Sequence, residues 1–270
     1  MKLAISNIAW NPDEDEAVSR LMQQYNVTGV EIAPTKIWSK PLDASNDDIA
    51  GYTKRWLSRG IRISSMQALL FGRPDLTIFE SPDKRDETLK YLEGIIRLGG
   101  QLGAEALVFG SPGNRRIGDL DRARAEEIAV EFFRSVGKTA EKHNTVFCIE
   151  PNPITYGCDF VTTSAEGRDL VAKVDQRGFG LHLDAAGMTL SQEDVEPELA
   201  KSIAGLCHFH ISEPNLKPIG TGGVDHALFS RCLSTGVYDR WFSIEMRAPG
   251  GVENITGVEN AFRVVRKFYR

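Results

Sequence analysis

Four residues suited to chemistry on a metal ion fall at or near the ends of short apolar runs. Glu150 closes TVFCIE, Asp184 closes FGLHLD, His210 lies near the end of LCHFHI and Glu245 near the end of WFSIEM. Three carboxylates and an imidazole brought together in a partly dry space would repel one another and shift their pKa values. A divalent cation resolves the conflict. Three oxygens and one nitrogen lean toward Mn2+, Mg2+ or Co2+, with Zn2+ also open. Any one of the four alone has a plainer explanation, as a helix N-cap or the partner of a loop arginine. Their recurrence at strand ends is what points to a site. His182 and His208 each lie two positions before a proposed ligand. Strand side chains alternate, so both would share the ligands' face one layer deeper, as orienting groups or as satisfied core histidines.

Such residues need elements to position them. Eight runs of strand length recur: Leu3 to Ile8, Thr28 to Ala33, Ile61 to Met66, Glu105 to Gly110, Thr145 to Glu150, Phe179 to Asp184, Leu206 to Ile211 and Trp241 to Met246. Between them lie stretches with apolar residues at three-to-four spacing, which predicts helices. These are Glu14 to Tyr25, Asp47 to Arg59, Lys84 to Leu98, Leu120 to His143, Ser164 to Val174, Glu196 to Ile203, Asp225 to Cys232 and Val258 to Tyr269. Gly60, Gly103, Gly178 and Gly236 precede strands and suit left-handed helix ends. Eight strand–helix units predict an α/β chain folded as a closed (β/α)8 TIM barrel, a single domain over 1–270. A doubly wound open sheet competes, but no Gly-x-Gly-x-x-Gly follows the first strand. In a barrel the C-terminal strand ends form one rim, so the four residues would converge there.

Composition narrows the function classes. The chain has 270 residues, 41% hydrophobic and 26% charged, an ordinary soluble globular balance with mass for a large core. Its net charge of -5 does not favour nucleic acid as a partner. Cys148, Cys158, Cys207 and Cys232 are too sparse for a disulfide scaffold. No apolar stretch suits a membrane span or a signal peptide, so the expected location is cytoplasmic, with the sequons at Asn26 and Asn254 incidental.

The segments Glu150-Pro151, LHLDAAGM, HFHISEPN and IEMR resemble the xylose-isomerase-like TIM-barrel superfamily of sugar isomerases and epimerases. The nearest pattern is that of the D-tagatose 3-epimerase and hydroxypyruvate isomerase group, and the likeness spans nearly the whole chain in element order. The resemblance implies that Glu150, Asp184, His210 and Glu245 hold one divalent metal ion. It also implies that Glu150 and Glu245 act as acid and base on opposite faces of a small sugar or keto-acid, through an enediolate. A homo-oligomer is usual for the group, although the patterning shows no interface. Departures fall around the substrate. Gly187 stands where these epimerases carry a histidine, Tyr156 where they carry a glutamate, and Lys217 for an arginine. Dehydratases of inosose- or dehydroshikimate-like substrates share the scaffold and are the alternative, with His182 or Lys217 as the proton donor. Endonuclease IV-type repair enzymes need further histidines after strands three, four and six, which this chain lacks.

The residues expected to meet substrate are Trp10, Gln67, Tyr156, His182, Lys217 and Arg115. Trp10, Trp38, Phe71 and Tyr156 could wall a sugar ring. Arg115, Arg116 and Lys217 are the cations best placed for an acidic group. Gly220, Gly222 and Gly223 before a helix could cradle a phosphate, unless Asp225 simply caps that helix.

Overall fold

The computed structural model describes residues 1–250 and 253–269. Eight parallel strands close into a barrel in sequence order. They are β1 (Lys2–Ser6), β2 (Gly29–Ile32), β3 (Arg62–Met66), β4 (Ala106–Phe109), β5 (Val146–Ile149), β6 (Phe179–Asp184), β7 (Leu206–Ser212) and β8 (Trp241–Glu245). Closure is explicit, because β1 pairs with both β2 and β8. The open-sheet alternative is thereby excluded.

The helices are α1 (Asp15–Gln24), α2 (Asn46–Leu57), α3 (Pro82–Leu102), α4 (Arg122–Lys142), α5 (Ser164–Val174), α6 (Ala185–Leu190), α7 (Val195–Ser202), α8 (His226–Thr235) and α9 (Glu253–Phe268). Eight answer the expected amphipathic stretches. The ninth, α6, is too short to show a helical period and follows Asp184 directly. Their starts are held by side chains that accept from backbone N–H groups, as at Ser45, Ser81, Asp121 and Thr163. Gly60 and Gly103 adopt the left-handed conformation expected of them. Gly178 and Gly236 do not. Gly236 has φ of -80°, and Gly178 serves close approach instead, since an added Cβ would lie 2.1 Å from Gly137 O.

Alternation in the strands sorts side chains between two layers. Phe147 and Phe179 pack on Phe133 of α4, and Phe209 packs on Phe229 of α8. Their odd-numbered faces therefore cover the helix layer. The even-numbered neighbours Glu150, His182, Asp184, His208 and His210 consequently turn toward the barrel axis. Among the described helices, none is long and apolar enough to cross a membrane.

Candidate metal and active site

His210, buried on β7, is the centre of the arrangement. Its Nε2 lies 3.0 and 3.2 Å from the carboxylate oxygens of Glu31. Glu31 is wholly buried on β2 and also accepts from Ser65 Oγ at 2.8 Å and Ser243 Oγ at 3.0 Å. His208 Nε2 stands 3.0 Å from it. This network turns His210 Nδ1 toward the mouth. There it faces Glu245 Oε2 at 3.3 Å, Asp184 Oδ2 at 3.8 Å and Glu150 Oε1 at 3.9 Å. The three carboxylates expected at the rim thus all face this one nitrogen of His210.

The electrostatics are those of buried carboxylates crowded around one imidazole. Burial raises the Asp184 carboxyl to about 7, and repulsion from Glu150 and Glu245 adds to the effect. Glu150 is raised mainly by burial as well, with His210 and Asn152 pulling the other way. Burial works against charge on His210 too, but Glu31 and Glu245 outweigh it and hold the imidazole well above its ordinary value. Burial would likewise raise Glu31, yet His210 and His208 together hold it well below the usual carboxylate range. His210 Nδ1 is buried with no hydrogen-bond partner among the described residues. An orphaned imidazole nitrogen facing three carboxylates fits a divalent ion, and Glu31 would then stand behind the histidine that holds it. A set whose ligand atoms all lie within 4.8 Å of one another is Glu150, His182, Asp184 and His210, in which His182 stands where Glu245 was expected.

Local sequence explains how these groups are held. Asp184 ends β6 and caps α6, its Oδ1 accepting from Gly187 N at 2.6 Å, while Ser212 Oγ donates to Oδ2 at 2.5 Å. Gly110 leaves room for Glu150, because an added Cβ would lie 2.2 Å from its Oε2. A cavity of about 390 Å3 opens above, lined by Glu150, Asp184 and Glu245 on its floor side and by Tyr156, Leu216 and Arg247 among its walls. That volume suits a small polar ligand.

Of the six residues expected to meet substrate, only Tyr156 lines this cavity. Its hydroxyl accepts from Asn215 N at 2.8 Å and so ties the loop after β5 to the loop after β7. Arg115 is fully buried. Its guanidinium donates to Gly110 O at 2.8 Å, Phe160 O at 2.5 Å, Val161 O at 3.3 Å, Glu150 O at 2.7 Å and Asn152 Oδ1 at 2.8 Å, so all five of its N–H donors are used and the residue instead anchors the Glu150 backbone. Lys217 is exposed and off the cavity wall, where Arg247 stands. Gln67 turns inward to Ser6 Oγ at 2.7 Å and Glu31 Oε2 at 3.4 Å. His182 is buried beneath the carboxylates, its Nε2 3.5 Å from Glu150 Oε1. Trp10 is buried, donates to Asp15 Oδ1 at 2.8 Å, and lines a separate cavity of about 280 Å3 with Lys36, Trp38 and Tyr52. The expected aromatic wall is therefore split, and Phe71 lies exposed elsewhere.

The glycine cradle is filled from within. Glu213 is buried and accepts from Gly220 N at 2.8 Å, Val224 N at 3.2 Å and the His226 ring at 3.1 Å. Asp225 caps α8 through Leu228 N at 2.9 Å. A phosphate would compete with both carboxylates. Sequence reading missed Glu31, Glu213 and Arg247. A charged residue inside the apolar run TGVEIA was the one available signal for Glu31.

Residues 19–268 match the family described as xylose isomerase-like TIM barrel. A probable ketose 3-epimerase of Synechocystis sp. is 26% identical over 238 residues, covering 78% of this chain and 82% of the relative. The crystal structure of D-psicose 3-epimerase with D-tagatose from Clostridium cellulolyticum superimposes with a TM-score of 0.81 at 18% identity, covering 99% of each chain. That of 3-keto-D-glucoside 4-epimerase from E. coli gives 0.80 at 18% identity, again covering 99% of each.

Proposed function

Since the chain belongs to the xylose isomerase-like TIM-barrel family, we propose that its metal-assisted isomerase or epimerase chemistry inverts a carbinol beside the carbonyl of a small ketose. The observation that carries this reading is the meeting of Glu150, Asp184 and Glu245 at the Nδ1 atom of His210. The ketose 3-epimerase relative supports the substrate class. Glu150, Asp184, His210 and Glu245 would hold one divalent ion, from the Mn2+, Mg2+, Co2+ and Zn2+ group.

A bound divalent ion polarises a carbonyl and offsets the negative charge of an enediolate. Glu150 and Glu245 carry the protons. They extend from β5 and β8, with β6 and β7 between them, so they approach a ligand in the mouth from different sides. One carboxylate removes the proton alpha to the carbonyl and the other returns a proton to the opposite face. Burial raises the Glu150 carboxyl, which suits a group that must both take and give a proton. Asp184 and His210 remain fixed, the first by Ser212 and Gly187, the second by Glu31.

The dehydratase alternative asked for a proton donor at the beta carbon. Neither candidate stands on the cavity wall: His182 is buried and Lys217 faces solvent. The four cysteines are free, which agrees with a cytoplasmic setting. The test is metal content with exchange of ketose C3–H in D2O. One divalent ion per chain, and exchange that is lost in the Glu150→Gln, Glu245→Gln double variant, is the expected result. No divalent binding in wild type after Mn2+ is supplied would sink the reading, and exchange accompanied by loss of water would move it to the dehydratases.

A further inference from the structure

His182 is the buried polar group that the proton-transfer chemistry leaves unused. Its side chain is wholly buried, and neither Nδ1 nor Nε2 has a hydrogen-bond partner among the described residues. A leucine or methionine would fill such a place without stranding two polar atoms, so an imidazole here needs a partner. The surroundings narrow what that partner is. Nε2 lies 3.5 Å from Glu150 Oε1, and the ring packs edge-on to His210 with centroids 4.2 Å apart. Ligand atoms of Glu150, His182, Asp184 and His210 fall within 4.8 Å of one another. Ligands on opposite sides of one ion stand about 4 Å apart at ordinary bond lengths, so a small closure brings all four onto a single ion.

We propose that His182 is itself a ligand of the bound cation, which makes the centre a two-histidine site selective for a borderline transition ion such as Co2+, Ni2+ or Zn2+ over Mg2+. Imidazole favours those ions, whereas Mg2+ prefers carboxylate, carbonyl and water oxygens. The inference rests on the metal-binding part of the function proposed above and extends it to a fifth residue and a class of ion. It does not depend on the substrate.

Pulsed EPR of the wild-type protein loaded with Mn2+ counts the coordinated imidazole nitrogens directly and needs no variant. Two are expected, and a single one overturns the inference while leaving the epimerase reading intact. Absence of Mn2+ binding removes both. Competition titrations then compare Co2+ with Mg2+. In His182→Leu the preference for Co2+ should fall by about tenfold or more, with Mg2+ affinity changed by less than about threefold. An unchanged preference would also overturn the assignment. Melting of the metal-free variant shows whether it is folded, and His182→Gln provides a polar replacement should leucine fail to fold.

Discussion

Glu31 does for His210 what packing alone cannot, because it supplies a fixed negative charge to the ring nitrogen that faces away from the mouth. That bond selects which nitrogen is presented to a ligand and raises the basicity of the ring. Glu31→Gln keeps the shape and removes the charge. Divalent-ion affinity should fall about 10- to 100-fold, read by calorimetric titration. Unchanged affinity would mean that the orientation of His210 is set by β7 alone. Glu31 also shows why part of the site escaped sequence reading. Glu150, Asp184, His210 and Glu245 were legible because each lies at a strand end, and every strand end in a barrel meets the same rim. Glu31 sits within its strand, where a charge gives no such address. Arg115 and Lys217 were misplaced for a related reason. A loop cation reads the same whether it meets solvent or, as Arg115 does, five acceptors from the loops after β4 and β5.

At the scale of elements, strands and helices followed from period, while the joins between loops did not. Among the described residues, eight strands and eight of nine α-helices match apolar runs of the right period, but α6 depends on the single cap that Asp184 provides. The cavity walls come from loop-to-loop contacts. Asn215 N donates to the Tyr156 hydroxyl, and Arg247 N donates to Leu216 O. No spacing within one loop predicts contacts of that kind. Glu213 fixes the loop after β7 through three acceptor bonds and fills space that a side chain at Gly222 would need, its Oε2 lying 2.4 Å from the position of an added Cβ. Glu213→Ala leaves the buried Val224 N–H and His226 ring unpaired, frees Gly220 N, and should cost about 3 kcal/mol, measured by urea unfolding. Because the loop also borders the cavity above His210, where the proposed function places the substrate, KM should rise more than kcat falls. A loss confined to kcat would instead place Glu213 among the reacting groups.

For the molecule as a whole, the crowded carboxylates at the barrel mouth set charge against stability. In the metal-free protein Asp184 is raised from 3.8 to about 7 by burial, with Glu150 and Glu245 adding repulsion. Between those values the folded chain keeps a proton that the unfolded chain has released, so this residue's contribution to stability declines as pH rises through the window. Other groups titrate nearby and oppose it. Burial holds His182 and His208 below the usual histidine range, and that effect lowers stability as pH falls. The melting profile of wild type alone therefore mixes the two signs, and a comparison with Asp184→Asn isolates the carboxylate. The asparagine retains an oxygen for the α6 cap and carries no charge. Metal-free Asp184→Asn should gain on metal-free wild type steadily from about pH 4 to about pH 7, then hold a constant advantage above it. Saturating divalent ion should reverse the order, because only wild type keeps the full set of carboxylates to bind it. A gap between the two metal-free proteins that does not vary with pH would show that Asp184 ionises as freely in the barrel as in water, and that the crowding of charge at the rim is relieved without a cation.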